Sequence, residues 1–130
     1  MTPASTGGVV LDASAVLVLL HEEPGADEVE RLLDGALVSA VNLSEVIQKA
    51  EQHGVNTEGL EFDLGALGIE FRDFDMATAR SAAELWSRGS GLSLGDRACL
   101  SLANDSGSAA VTADGRWTRS KQPVAVRLVR

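Results

Sequence analysis

The chain has little of what marks secreted, membrane-spanning or zinc-binding proteins. Its one cysteine, Cys99, allows no intramolecular disulfide and gives no sign of an oxidising compartment. No apolar run approaches the roughly 18 residues that a membrane span requires, and residues 1–7 have neither the basic start nor the apolar core of a secretion signal. The two histidines, His21 and His53, have no partner at the spacing of zinc ligands. We therefore expect a cytoplasmic protein without a membrane partner, with residues 1–7 as a flexible leader.

Basic residues are also scarce, with 11 Lys and Arg against 19 Asp and Glu and a net charge of −8. Nucleic-acid binders usually show a basic footprint, so the charge alone argues against this class. The objection weakens if several acids hold divalent cations, because a bound metal reverses the local sign of the charge. The length of 130 residues and the hydrophobic fraction of 45% predict one domain over 1–130.

What the sequence does contain is an alternation of short apolar runs with segments of helical periodicity. Strands are predicted at 9–11, 36–40, 69–71 and 109–112, with an edge strand at 124–129. Helices are predicted at 14–20, 25–33, 42–52, 57–67, 76–87 and 94–104. This order is typical of a three-layer α/β/α fold with a central, mostly parallel sheet of four to five strands.

Two of the predicted helices come with assignments for single side chains. Asn42 is interpreted as the N-cap of the helix that runs through Gln52. Asp75 is interpreted as the cap of the helix at 76–87, with Trp86 on its inward face. Trp86 and Trp117 are both predicted to be core or dimer contacts, and Cys99 to be a small buried hydrophobe.

Four acids are predicted to meet at one edge of this sheet. Asp12 follows the first strand and Asp114 follows the fourth, while Glu45 and Asp96 fall in the first turns of two helices. In parallel sheets the functional crevice lies at the carboxyl ends of the strands. Clustered carboxylates suit Mg²⁺ or Mn²⁺, and the matching chemistry is phosphodiester hydrolysis by metal-activated water. Taken singly, each acid has a simpler interpretation as a helix cap or as a charge that complements the helix dipole.

Arg97 and Arg116 each lie next to one of these acids in the sequence. Arginine binds phosphate in a bidentate manner, so contact with an RNA phosphate is one interpretation. A solvated surface arginine is an equally good one.

Four segments resemble, in order, the four sequence motifs of PIN domains: 9–15 (VVLDASA), 42–46 (NLSEV), 94–103 (LGDRACLSLA) and 111–117 (VTADGRW). Each motif alone is weak, whereas the ordered set spans nearly the whole chain. Among PIN domains the sequence looks most like the VapC-type toxins of bacterial toxin–antitoxin pairs. Gly115 departs from the pattern, because a larger residue is common at that position.

The resemblance implies a PIN-like fold and a Mg²⁺- or Mn²⁺-dependent endoribonuclease that is inhibited by a cognate VapB-like antitoxin and is usually a homodimer. It implies that Asp12, Glu45, Asp96 and Asp114 are both the metal ligands and the catalytic residues. Ser14 and Thr112 match small hydroxyl positions that can support such a site by hydrogen bonding to a carboxylate.

Three other functions compete with this hypothesis. An inactive PIN-like binding or assembly module would have no need to keep four clustered acids. A phosphatase with an aspartate nucleophile would use Asp12, but commonly has a second acid where Ser14 stands. A signalling receiver domain would need an aspartate after the third strand, near Asp73, and a lysine at the end of the last strand, where the sequence has none.

Overall fold

Five parallel strands form the centre of the computed structural model, which describes residues 8–130. The strands are β1 (Val9–Leu11), β2 (Leu37–Ser39), β3 (Glu70–Arg72), β4 (Ala109–Thr112) and β5 (Val126–Leu128). Their order is β3-β2-β1-β4-β5, and every pairing is parallel. The predicted α/β fold is confirmed, with five strands. The predicted leader, residues 1–7, lies outside the described residues.

Alternate residues of the strands pack into two separate cores, one on each face of the sheet. Leu11 of β1 contributes to a core with helices α1 (Ala13–Leu20), α2 (Ala26–Glu30), α3 (Ala40–Gln52) and α4 (Leu60–Ala66). Val10 faces the other way, into a core with α6 (Leu94–Ser106). Helix α5 (Met76–Glu84) packs against α6. This two-residue alternation in a buried strand produces the three layers.

The central position of β1 brings two distant segments to one edge of the sheet. Leu11 pairs with Val111 of β4, and on the other side Val10 pairs with Leu37 of β2. The carboxyl ends of β1, β2 and β4 therefore lie side by side. Asp12 follows directly on β1, and a 3₁₀ helix (Gly115–Arg119) begins shortly after β4 with Asp114 as its N-cap.

Three local predictions are wrong. Helix α3 begins at Ala40 with Ser39 as its N-cap, so Asn42 is an interior helical residue and is buried. For the same reason Glu45 lies beyond the first turn of α3 and not within it as predicted. Helix α5 ends at Glu84, before Trp86, whose side chain is 58% exposed instead of facing inward. By contrast, Asp75 does cap α5, and both Trp117 and Cys99 are buried.

In residues 8–130, no helix is both long and apolar enough to cross a membrane.

Candidate metal centre

Asp12 is the most deeply placed of the four acids, with only 5% of its surface exposed. Its Oδ1 accepts hydrogen bonds from Ser14 Oγ at 2.7 Å and from the backbone N–H of Ala15 at 2.9 Å. Thr112 Oγ1 donates to Oδ2 at 2.6 Å. Burial nevertheless raises the pKa of Asp12 from 3.8 to about 6, and the nearby charge of Asp96 adds to the shift. Three donors fix this carboxylate in place without neutralising its charge.

Glu45 is positioned by two residues from different helices. Asn42, one turn earlier on α3, donates from Nδ2 to Glu45 Oε1 at 2.9 Å and to the carbonyl of Gly95 at 3.1 Å. A Cβ atom at Gly95 would lie only 2.4 Å from Glu45 Oε1. The carboxylate therefore fits against α6 only because residue 95 has no side chain.

Asp96 begins α6 as part of a capping box. Its backbone N–H donates to Ser93 Oγ at 3.1 Å, and its own Oδ2 accepts from the backbone N–H of Ser93 at 2.9 Å. The interpretation of Asp96 as part of a helix cap is therefore correct. The cap occupies one carboxylate oxygen, Oδ2, and the same residue also lines the pocket that contains Asp12 and Glu45.

Asp114 is held by Arg116. Nε and Nη2 of the guanidinium donate to the Asp114 carboxylate at distances between 2.7 and 3.1 Å, and the backbone N–H of Arg116 donates as well. The hydrogen bonds from the Arg116 side chain, followed by those from its backbone, lower the pKa of Asp114. Arg116 thus places a positive charge at the rim of the site.

All four acids line one cavity of about 290 Å³, which we call the acidic pocket. Its other polar lining residues are Ser14, Asn42, Lys49, Ser93 and Arg116. The Cys99 thiol is buried near three of these charges. Its pKa lies well above the usual value, first because of burial and then because of the charges of Asp12, Asp96 and Glu45.

The donor set suits a hard divalent cation, since carboxylate oxygens are the ligands that Mg²⁺ and Mn²⁺ prefer. A buried Asn42 Oδ1 that lacks a hydrogen-bond partner within residues 8–130 adds an uncompensated acceptor to the same site. Within residues 8–130, no three Asp, Glu, His or Cys side chains lie close enough together to coordinate one ion in their present conformations. Protein donors contact all four carboxylates, but Arg116 donates to both oxygens of Asp114, whereas only Oδ2 of Asp96 accepts from Ser93.

A comparison with known protein families matches the PIN domain over residues 9–122, a range that contains all four acids. The chain belongs to the PIN domain family. The match covers every strand from β1 to β4 and stops short of β5. No curated protein matches the sequence closely enough to count as a relative.

Solved structures share the PIN fold at low sequence identity. A toxin–antitoxin complex from Klebsiella pneumoniae aligns with a TM-score of 0.75 and 15% identity, over 94% of this chain and 98% of the other. A DNA-bound VapBC from Salmonella typhimurium aligns with a TM-score of 0.71 and 20% identity, over 96% and 100%. A DNA-bound VapBC2 from Rickettsia felis gives 0.69 and 15%, over 92% and 96%.

The structure brings together most of the predicted site residues. Asp12, Glu45, Asp96 and Asp114 share the acidic pocket, Ser14 and Thr112 both donate to Asp12, and Arg116 lies at the rim. Arg97 does not join them, because its guanidinium donates to the carbonyl of Ala82 on α5 at 3.1 Å.

Sequence reasoning missed the two residues that position Glu45. Asn42 stands three residues before Glu45, a spacing that places both on one face of a helix, so its role had a local signal. Gly95 had none, because its partner lies on another helix.

Proposed function

We propose that this PIN domain is a Mg²⁺- or Mn²⁺-dependent endoribonuclease and the toxin of a toxin–antitoxin pair. The observation that carries the proposal is the acidic pocket, where four separate segments of the chain each contribute one carboxylate to the same edge of the sheet. Asp12, Glu45, Asp96 and Asp114 would hold the cation. Helix capping alone does not require that Asp12 be buried, nor does it explain Glu45, which lies beyond the first turn of α3.

A divalent cation bound there would polarise the phosphoryl group, activate water as the nucleophile and offset the negative charge that develops on the leaving oxygen. Within residues 8–130, both serine hydroxyls of the pocket are engaged in hydrogen bonds. Ser14 Oγ donates to Asp12 and accepts from the backbone N–H of Ala113, and Ser93 Oγ accepts from Asp96. Cys99 is fully buried, with a raised thiol pKa. Hydrolysis by water, without a covalent enzyme intermediate, is the chemistry that fits these groups.

The remaining residues position the acids and the substrate. Ser14 and Thr112 orient Asp12, and Asn42 orients Glu45. Arg116, whose side chain is exposed beside Asp114, is the predicted phosphate contact that the geometry supports. Arg97 already donates to a backbone carbonyl of α5, so we assign it no contact with RNA.

The ribonuclease proposal is tested with protein purified free of any partner and structured RNA as the substrate. We expect cleavage with Mg²⁺ or Mn²⁺, and its loss both in EDTA and in Asp96→Asn. Asparagine can still accept from the backbone of Ser93, so the capping box and the fold should persist. Asp105→Asn, at the exposed far end of the same helix, is the matched control and should cleave normally.

Cleavage that survives EDTA or Asp96→Asn would contradict the proposal. Calorimetric titration with Mn²⁺ separates it from the alternative of an inactive binding module. A folded sample that binds no metal would favour that module.

The toxin assignment is supported by the fold shared with chains of toxin–antitoxin complexes. An antitoxin for this chain should present a basic segment with an arginine that enters the acidic pocket and competes with the metal. Adding the product of the neighbouring gene is expected to inhibit cleavage and to weaken Mn²⁺ binding in calorimetry. A neighbour that binds without changing either quantity would argue against this pairing. Homodimer formation and a cytoplasmic location stay predictions.

A further inference from the structure

A second cavity of about 380 Å³ lies between the loop after α5 and the segment after the 3₁₀ helix. We call it the outer groove, and its lining includes Trp86, Arg88, Ser90, Leu92, Lys121 and Gln122. Trp86 is 58% exposed there, although large aromatic side chains are usually buried. Nothing in the proposed hydrolysis uses these residues, so the groove needs its own explanation.

A third, small cavity of about 40 Å³ lies between the outer groove and the acidic pocket. It shares Asp96 and Arg116 with the acidic pocket, and Ser90, Leu92, Ser120 and Gln122 with the outer groove. The outer groove therefore lies next to the acidic pocket on the side of Arg116, where a linear molecule cut in the pocket would reach it. A small substrate confined to the pocket would not reach Trp86.

The charge of the carboxyl-terminal part of the chain differs from that of the rest. Residues 76–130 contain eight of the 11 Lys and Arg but only four of the 19 Asp and Glu. Arg88 and Lys121 line the groove, Arg119 lies beside it, and none of the three forms an ion pair with an acid of residues 8–130. Glu84 is the single acid in the lining. The outer groove itself is thus lined by two cations and one acid, although the net charge of the chain is −8.

We infer that the outer groove binds the single-stranded part of the RNA substrate, with a base stacked on Trp86 and phosphates held by Arg88 and Lys121. An exposed aromatic side chain in a groove that is also lined by cations is the arrangement by which proteins bind single strands without reading their sequence. The inference rests on the proposed ribonuclease function and adds where the RNA binds outside the acidic pocket. A basic partner peptide fits less well, because the cations of the groove would repel it.

Binding is measured by fluorescence anisotropy with a short fluorescein-labelled single-stranded RNA, in EDTA so that the probe is not cut. Trp86→Ala is expected to weaken binding about tenfold, whereas Trp86→Phe keeps most of the affinity because stacking survives. Arg88→Ala and Lys121→Ala should each reduce the slope of log affinity against log salt by about 0.7, as for one lost phosphate contact on a single strand. The matched controls are Phe62→Ala, at an aromatic residue 79% exposed on α4, and Arg80→Ala, at an exposed arginine of α5 outside the groove.

Wild-type affinity and salt slope in both Trp86→Ala and the double variant Arg88→Ala/Lys121→Ala would overturn the inference. So would a loss of partner-protein binding in these variants while RNA affinity stays unchanged. If wild type cleaves RNA and the groove variants still bind RNA normally, the inferred role of the groove is overturned while the proposed ribonuclease function stands. Binding that depends on the groove, in a protein that cleaves no RNA with any metal, would support the groove and count against the proposed function.

Discussion

Replacing Asp12 by asparagine is expected to abolish metal-dependent RNA cleavage while making the protein more stable at neutral pH in a chelator. Loss of one cation ligand removes several kcal/mol of transition-state stabilisation, roughly a thousandfold in rate. The fold should persist because the asparagine carbonyl can still accept from Ala15 and Ser14, as Asp12 Oδ1 does.

The stability gain follows from the raised pKa of Asp12, which burial moves from 3.8 to about 6. The folded state binds this proton more tightly than the unfolded state, so the free energy of unfolding is greatest below the lower pKa value. The free energy of unfolding then falls by about 3 kcal/mol as the pH rises from the unfolded-state pKa to the folded-state pKa. Asp12→Asn lacks this dependence, so the variant should match wild type in acid and exceed it at neutral pH.

The measurement is urea unfolding of wild type and Asp12→Asn in EDTA across this pH range, repeated with Mn²⁺. Mn²⁺ should stabilise wild type and leave the variant unchanged. Asp75→Asn is the matched control, since Asp75 caps α5 through Thr78 as Asp12 caps α1 through Ala15, but is exposed and outside the acidic pocket. An Asp12→Asn variant that still cleaves RNA, or that still gains stability from Mn²⁺, would rule out Asp12 as a ligand.

Gly95→Ala is expected to reduce cleavage about 10- to 100-fold, the usual effect of losing a group that orients a metal ligand. The new Cβ would lie 2.4 Å from Glu45 Oε1 and 2.7 Å from Glu45 Cδ. Since the obstructing atoms are the end of a flexible side chain, the Glu45 carboxylate should move while the backbone stays. The free energy of unfolding should therefore be unchanged or slightly raised, because alanine favours helix over glycine.

Gly65→Ala is the control for the effect of alanine in a helix. Gly65 lies within α4, and a Cβ there would meet no atom within 4 Å. This variant should gain about 0.5–1 kcal/mol of stability and keep full activity. Adding Glu45→Asp to Gly95→Ala shortens the displaced side chain and should recover part of the lost activity. Full activity in Gly95→Ala alone would show that the close approach of Glu45 to α6 has no catalytic role.

The central strands and the ends that carry Asp12 and Asp114 could be predicted from the sequence. Val9–Leu11 is a short apolar β-branched run that ends at an acid, and Ala109–Thr112 was predicted with its observed bounds. Such signals are local, because strand propensity, burial on both faces and capping all act within a few residues. The parallel pairing of the strands then follows from the alternation of strands and helices.

Asn42 shows where local signals fail. Both Ser39 and Asn42 are good capping residues, and the sequence alone did not say which one starts the helix. Ser39, the last residue of β2, accepts from Val41, and the helix therefore starts one turn earlier than predicted. Asn42 is left inside the helix, where its amide donates to Gly95, 53 residues away.

The sequence by itself determined the α/β fold and the positions of Asp12 and Asp114 at the ends of strands, because strand ends are encoded by neighbouring residues. Only the tertiary structure decided what each side chain contacts. In the folded chain Arg97 donates to a backbone carbonyl of α5, and Glu45 lies against Gly95. Trp86 is exposed in a groove that Arg88 and Lys121 also line. These contacts join residues far apart in the chain, so they depend on how the helices pack on the sheet, which no local pattern specifies.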